Sequence, residues 1–400
     1  MTTILSKLSR FAPKPTNTKN FPQGFKVIGV HCGIKKKEKL DLGLLLSERE
    51  ETSGAGCFTR NRFKAAPVKY SINKLLETQG HKIAGVVINS GCANAVTGTR
   101  GDSDAAEIAR LVDEHLHKNG SASSLVLSTG VIGQLLPTER IHAGVIEGLK
   151  RLGDNYESWH ALAEAFMTTD TFPKLLTHSF QLDGQEIRFA GIDKGAGMIT
   201  LRWAHLMLPY SALSPPTPPS DRTRSNEHSP RQSIADQKRL EIFEHELASF
   251  ALRLAKLVVR DGEGATKFVQ VLVRGAQNEA DATTIATTIA TSSLVKCALN
   301  GEDANWGRIL CALGYSPISH PIDTQKVSVS IRTADDLQQI LLLSNGEPVP
   351  DIDELKAKEI LKNEDLIIDL DLGHPIDHQA SFYTCDLSKE YVAINADYRS

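Results

Sequence analysis

Short apolar runs alternate with helical patterns along the first half of the sequence, and this alternation limits the folds open to the chain. Val86, Val87 and Ile88 form a run that ends in asparagine and glycine, which is typical of a buried strand. Residues 105–116 repeat apolar side chains at three- and four-residue intervals, which indicates an amphipathic helix. The run SSLVLSTGVIG then predicts a strand, and a helical pattern follows Pro137. Because helices follow strands repeatedly, the sequence predicts a mixed α/β architecture.

A proline-rich segment separates this region from a second series of predicted elements. Residues 211–236 hold five prolines among polar side chains, so they lack the apolar surface that offsets ordering entropy, and the sequence predicts a disordered linker there. Beyond it, the patterns predict helices at 240–260, 279–291 and 355–361, and strands at KFVQVLVRG, KVSVSIRT, LIIDLDL and a final YVAIN. Residues 237–400 are therefore expected to form a smaller C-terminal α/β part.

Composition excludes several classes of protein. The chain has 400 residues, enough for two to three domains of ordinary size. Lys plus Arg is 45 and Asp plus Glu is 48, a net charge of -3 that gives no electrostatic reason to expect a nucleic-acid partner. No apolar run approaches the roughly 20 residues of a membrane-spanning helix, so no membrane partner is expected.

The cysteines and the first twenty residues bear on the compartment. The six cysteines include no CxxC pair and show no disulfide framework. The segment MTTILSKLSRFAPKPTNTKN is basic and lacks the apolar core of a secretory signal. It has some features of a mitochondrial transit peptide, but Pro13 and Pro15 would interrupt an amphipathic helix. The sequence therefore predicts a cytoplasmic protein, with a mitochondrial one as the weaker alternative.

The common catalytic motifs do not occur. The sequence contains no P-loop, no GxGxxG, no HExxH and no GxSxG. His115 and His117 lie two positions apart on a predicted helix and so point to different faces, which makes them poor metal ligands. No metal and no resident cofactor are expected.

Turns dense in glycine, threonine and asparagine remain, mostly at the ends of predicted strands. They are NSGCANAVTG at 89–98, STGVIG at 128–133, TTDT at 168–171, DKGAGMI at 193–199, DGEGATK at 261–267, GEDANWGRILCALGYS at 301–316 and YVAINADYRS at 391–400. Each alone is compatible with ordinary turn chemistry. In this order, they resemble the ornithine acetyltransferase family, the glutamate N-acetyltransferases of arginine biosynthesis. The resemblance runs from GFKVIGV at 24–30 to Ser400, with a break at about 201–240.

The resemblance implies a fold and an activity. The fold is an αββα layered sandwich with a smaller C-terminal α/β part. Family members cleave themselves before a threonine, whose hydroxyl then carries the acetyl group from N-acetylornithine to glutamate, while its new α-amine, with a pKa near ~8, acts as the base. No cofactor is needed, although acetyl-CoA is a further candidate acetyl donor.

Cleavage would also set the chain organisation. Residues 1–204 would correspond to the family's α chain and residues 205–400 to its β chain. A homo-oligomer is expected, or an α/β heterotetramer if the chain is cleaved.

The same resemblance assigns roles to individual residues. Thr129 and Gly130 match the pair that stabilises the oxyanion, and a hydroxyl with a backbone N–H is a reasonable set of anion donors. The remaining matches are substrate-contact positions, at which Lys194 would attract a carboxylate and Glu263 an amine. These positions are Thr168, Lys194, Glu263, Asn395 and Ser400.

The sequence departs from the family at the cleavage site. Aligned on Lys194, the Ala-Thr pair falls on Ala204 and His205. Histidine lacks the hydroxyl for the acyl shift, and without cleavage position 205 has no free α-amine. Thr200 lies five residues earlier, which is ~17 Å along a strand and too far to replace the nucleophile.

Three interpretations follow. By family, the protein is an acetyltransferase acting on N-acetylornithine and glutamate. Because His205 replaces the family's threonine nucleophile, the second interpretation is a non-catalytic homologue that keeps a pocket for acetylated amino acids or pairs with an active partner. The third interpretation is an acyl-processing enzyme with another nucleophile.

Overall fold

The chain divides into two compact units. The computed structural model describes residues 2–15, 17–36, 38–49, 52–116, 123–195, 210–212, 237–376 and 378–396. The first unit comprises the described residues of 1–194 and 203–255, and the second those of 195–202 and 256–400. The predicted chain boundary between residues 204 and 205 lies outside the described residues, so the division into 1–204 and 205–400 stays a prediction.

Helices occur in both units. Within the described residues they are α1 (Thr2–Phe11), α2 (Ala66–Thr78), α3 (Gly98–Leu116), α4 (Thr138–Lys150), α5 (Tyr156–Phe166), α6 (Gln237–Arg260), α7 (Glu279–Thr291), α8 (Ser293–Asn300), α9 (Trp306–Gly314), α10 (Glu354–Leu361) and α11 (Lys389–Ala396). In these ranges, no helix combines the length and the apolar character needed to cross a bilayer.

The strands form three sheets. They are β1 (Phe25–Val30), β2 (Leu42–Ser47), β3 (Ile83–Cys92), β4 (Ser123–Val131), β5 (Lys174–Leu182), β6 (Gln185–Asp193), β7 (Tyr210–Ala212), β8 (Phe268–Ala276), β9 (Ser328–Thr333), β10 (Gln339–Ser344), β11 (Glu347–Pro348), β12 (Asp365–Asp371) and β13 (His378–Cys385). Their orders are β1-β2-β3-β4, β5-β6-β7 and β11-β10-β9-β12-β8-β13.

The first sheet is covered on both faces. Its strands are antiparallel except for the parallel pair β3 and β4. Leu42 and Leu44 pack on one face with side chains of α3 and α4, whereas Val27 and Leu45 pack on the other with Trp159 of α5 and side chains of β5 and β6. This burial on both faces explains why β2 reads LGLLLS rather than alternating apolar and polar residues.

The second sheet adds the next layer. Phe189 of β6 and Phe250 of α6 are buried in one apolar cluster, which places α6 on the outer face of this sheet. Helices α3 and α4, the two sheets and α6 follow one another as layers, so the predicted αββα sandwich is confirmed. β7 pairs with β6 and includes residues 211 and 212 of the predicted linker, while residues 213–236 lie outside the described part.

The second unit is an α/β structure built on the six-stranded sheet, as predicted. β12 lies parallel to β8 and antiparallel to β9. Val271 and Ile368 from these strands pack with Ile285 and Ile289 of α7 in one buried cluster.

The final element differs from the prediction. YVAIN was expected to be a strand because of its β-branched residues, but it lies in helix α11. The Ser388 hydroxyl accepts a hydrogen bond from the backbone N–H of Tyr391, three residues later, which is the geometry of a helix N-cap. Val392 is exposed, so burial does not reinforce its strand preference.

Helix α5 approaches β1 so closely that one position requires glycine. A Cβ at Gly29 would lie 1.9 Å from the carbonyl oxygen of Ala161. Backbone atoms cannot move aside as a flexible side chain can, so any larger residue would push the helix off the sheet.

We expect Gly29→Ala to destabilise the first unit by at least about 3 kcal/mol or to prevent folding, through this clash. Gly314→Ala is the control, since a Cβ there would have no heavy atom within 4 Å. Thermal unfolding followed by circular dichroism measures both variants. An unchanged melting temperature in Gly29→Ala would contradict the packing described.

Candidate functional site

Thr129 and Gly130 lie near the end of β4, beside the end of the parallel strand β3. Gly91 of β3 pairs with Gly130 of β4, and Ser90 with Thr129. Gly130 has φ 131°, and a Cβ there would lie 2.3 Å from the carbonyl carbon of Gly91. Only glycine fits this backbone and this spacing, so the strand end is held in one shape.

Side chains of the two strand ends bind each other and support this backbone. The Ser128 hydroxyl donates to the Asn89 carboxamide oxygen at 2.6 Å. The Asn89 amide nitrogen donates to the carbonyl of Cys92 at 2.8 Å. The motifs at 89–98 and 128–133, read separately in the sequence, are therefore joined. Thr129 is half-buried at this junction.

A buried ion pair lies at the predicted Thr168 position. The Asp170 carboxylate binds the Lys174 ammonium at 2.6 Å, and both side chains are fully buried. Asp170 also accepts the backbone N–H of Thr168 at 2.7 Å. The Thr168 hydroxyl oxygen is buried and has no hydrogen-bond partner among the described residues. Thr168 thus stands directly beside a fixed negative charge.

The pKa values of Asp170 and the neighbouring Asp193 are shifted in opposite directions. Burial by itself raises the pKa of Asp170, but Lys174, Lys194 and the Thr168 N–H outweigh it, so the pKa lies below its usual value. Burial raises the pKa of Asp193 to about 8, although the backbone N–H of Lys194 and the ammonium groups of Lys174 and Lys194 act against the shift. At neutral pH, Asp170 is ionised and Asp193 is protonated.

The second unit brings two predicted residues together. The Asn395 amide of α11 donates to the buried Glu263 carboxylate at 2.7 Å. The loop that carries Glu263 is anchored by Asp386, which accepts from the backbone N–H groups of Thr266 and Lys267 at 2.7 Å and 2.9 Å. The Thr266 hydroxyl and the Asn300 amide also donate to Asp386. The motifs at 261–267 and 391–400 thus meet where the Asn395 amide binds the Glu263 carboxylate.

Not every predicted site residue has a described position. Thr129, Gly130, Thr168 and Lys194 belong to the first unit, and Glu263 and Asn395 to the second. Ala204, His205, Thr200 and Ser400 lie outside the described residues. In the described ranges, no group of three or more His, Cys, Asp or Glu side chains is placed to hold a metal ion.

The sequence reasoning missed the groups that support the site. The carboxylate of Asp170 stands in the quoted TTDT motif, but its partner Lys174 opens the next strand. The buried Asp41 carboxylate accepts the backbone N–H groups of Cys32, Gly33, Ile34 and Lys35 and so shapes their loop. In the sequence, Asp41 is a single aspartate after a run of lysines, a pattern that does not predict a loop-shaping role. Gly33 in CGIKKKEKLD is the local signal of a tight turn.

Known proteins resemble this chain over nearly its whole length. A sequence model of the ArgJ family matches residues 26–210 and 223–400. The mitochondrial arginine biosynthesis bifunctional protein ArgJ of Postia placenta is 44% identical over 436 residues, covering 96% of this chain and 94% of that protein. The chain belongs to the ArgJ family. The family inferred from the ordered turns is thereby confirmed.

Further relatives agree with this family. The protein of the same name from Candida albicans is 43% identical over 433 residues, covering 99% of this chain and 98% of that protein. A crystal structure of ornithine acetyltransferase from Mycobacterium tuberculosis, complexed with ornithine, is 33% identical with a TM-score of 0.39. It covers 47% of this chain and 95% of that chain.

The expected cytoplasmic location is wrong. The ArgJ relatives from Postia placenta, Coprinopsis cinerea and Candida albicans are named as mitochondrial proteins. The argument against a transit segment was that Pro13 and Pro15 would break a helix. Helix α1 ends at Phe11, before both prolines, so that argument fails.

The raised pKa of Asp193 predicts a pH-dependent stability. Its carboxyl stays protonated in the folded chain up to about pH 8 but ionises above pH 3.8 when unfolded. Its contribution to stability is therefore complete below pH 3.8 and is lost as the pH rises to about 8. The side chain in Asp193→Asn cannot ionise. The free energy of unfolding of this variant should therefore rise relative to that of the wild type by about 1 kcal/mol per pH unit between pH 3.8 and about 8.

Urea denaturation between pH 4.5 and 9 measures the difference between the two proteins. Asp154→Asn, at an exposed carboxylate of the same unit, is the control and should show a small, pH-independent difference. A flat difference for Asp193→Asn would contradict a protonated Asp193.

Proposed function

We propose that this ArgJ-family protein serves acetyl transfer between N-acetylornithine and glutamate. The observation that carries the proposal is the pairing of Thr129 and Gly130 in β4 with Ser90 and Gly91 in β3, at a backbone approach that only glycine allows. A backbone placed by strand pairing supports the oxyanion role that the family resemblance implies, because preorganised donors stabilise a developing negative charge without reorganising.

Other matched residues support the same substrates. The Lys194 ammonium suits the substrate carboxylate, and Thr168 brings a hydroxyl beside the Asp170–Lys174 pair. Glu263, whose carboxylate binds Asn395, suits a substrate amine. No cofactor enters the proposal, since the acyl group passes between small molecules, and acetyl-CoA remains a candidate donor.

The residue at position 205 favours a second candidate function. His205 stands where the family's threonine would supply both the hydroxyl nucleophile and the new α-amine. An acyl-imidazole hydrolyses readily and would make a poor carrier of the acetyl group. The second candidate is therefore a non-catalytic homologue that binds acetylated amino acids in the same pocket or pairs with an active partner.

Cleavage distinguishes an active family member from an intact one. We expect the purified protein to remain one polypeptide of about 43.6 kDa, because His205 cannot perform the acyl shift. Intact-mass spectrometry measures this directly. Two chains with a new N-terminus at position 205 or 200 would contradict it.

Restoring the hydroxyl should recover part of the chemistry. We expect His205→Thr to cleave itself slowly, while His205→Ala, its control, stays intact. Recovery should be partial because Leu201, Arg202 and Trp203 replace the residues that hold the cleaved bond in the family. When the residues around a reacting group no longer hold it in place, the reaction, here self-cleavage, slows roughly 100-fold.

Transfer of labelled acetyl from N-acetylornithine to glutamate tests function in the same variants. Efficient transfer by the unmutated chain would establish the first candidate and overturn the view of His205 as a lost nucleophile. Binding of N-acetylornithine without transfer would establish the second candidate. Absence of both binding and transfer would reject the two together.

A further inference from the structure

Lys35 stands between the two groups of candidate residues in the first unit. A Cβ at Gly91 would lie 3.3 Å from the Lys35 Cγ, so the lysine stem passes over the glycine that pairs with Gly130. The buried Asp170 carboxylate is also close enough to act electrostatically on the Lys35 ammonium. Lys35 therefore lies near both the Gly91–Gly130 pair and the Asp170 carboxylate beside Thr168.

Hydrogen bonds within the loop around Lys35 fix its conformation. The Asp41 carboxylate accepts four consecutive backbone N–H groups, including that of Lys35 at 2.9 Å. The Lys35 ammonium donates to the carbonyl of Leu40 at 2.6 Å. Asp41 is completely buried, which makes its contacts costly to break. The loop thus holds a half-buried lysine at a fixed position.

Positive charge exceeds negative charge in this region. The ammonium groups of Lys35, Lys174 and Lys194 face the carboxylates of Asp170 and Asp41, and the Asp41 carboxylate is engaged by backbone N–H groups. Asp193 adds no charge at neutral pH because it is protonated. A partly buried excess of positive charge favours a ligand that brings carboxylates.

We propose that Lys35 binds the side-chain carboxylate of the acyl acceptor, glutamate, and thereby selects a dicarboxylic amino acid over a diamino acid. The inference rests on the proposed function, since it names the group that would distinguish glutamate from ornithine. Lys194 takes the carboxylate that both amino acids share. Lys35 is then a specificity residue, and Asp41 and Gly91 position it.

Titration of Lys35 gives this selection a pH dependence. Burial, together with a smaller effect of Lys39, lowers the pKa of the Lys35 ammonium to about 8, although the Asp41 and Asp170 carboxylates and Cys32 oppose the shift. Lys35 loses its proton as the pH rises through 8, so binding of the dicarboxylate weakens there. Binding of the diamino ligand, which makes no contact with this ammonium, should not weaken with it.

Calorimetric titration of the full chain tests the proposal with two probes, N-acetylglutamate and N-acetylornithine. Lys35→Met should weaken N-acetylglutamate binding at least about tenfold and leave N-acetylornithine within about twofold. Lys35→Arg should keep N-acetylglutamate binding and abolish its decline between pH 7 and 9. Lys39→Met, at an exposed lysine of the same loop, is the matched control and should change the binding of neither ligand at pH 7, where Lys35 is protonated with or without Lys39.

The outcomes separate this inference from the proposed function. An equal loss of both ligands in Lys35→Met, or no loss of either, overturns the selective role of Lys35 and leaves the proposed function standing. Wild-type binding of N-acetylornithine without N-acetylglutamate also overturns the inference alone. Binding of neither ligand by the wild type rejects the proposed function and the inference with it.

Discussion

Two glycines at the ends of β3 and β4 let the backbone of one strand lie against the backbone of the other. Gly130 leaves no room for a Cβ beside Gly91, and Gly91 in turn leaves room for the stem of Lys35. The first sheet sets this approach, since its parallel pair fixes which residues stand opposite. The position of Thr129 depends on that register.

Each unit also uses one buried carboxylate to shape the loop beside its candidate residues. The Asp41 carboxylate accepts hydrogen bonds from the backbone N–H groups of residues 32–35, and the Asp386 carboxylate accepts them from those of Thr266 and Lys267. A carboxylate that accepts several amide hydrogens is stabilised without a cationic partner. The lysine of the first loop and the Glu263 side chain of the second are therefore presented from rigid backbones.

Much of the architecture could be predicted because it follows from periodicity. The apolar spacing over 240–260 predicts α6, whereas the αββα layers were expected only because the family that the ordered turns resemble implies them. The Asp170–Lys174 pair was missed because Asp170 precedes β5 and Lys174 begins it, so their four-residue separation does not lie on a helix, where it would predict a contact. The strand predicted at YVAIN failed because a serine cap outweighs the preference of β-branched residues. The proximity of Glu263 and Asn395 depends on tertiary structure and has no local signal.

The anchoring of one loop by Asp386 has a consequence for how the protein is made. The amide of Thr266 and its partner carboxylate are 120 positions apart in the sequence. During translation, the loop at 261–267 leaves the ribosome long before residue 386 exists to hold it. Contacts over such a sequence separation cannot form until the distant residue has been made. A nascent or truncated chain that ends before residue 386 therefore lacks the anchor of the loop that carries Glu263, and Asn395 reaches Glu263 only once the C-terminal helix has been made.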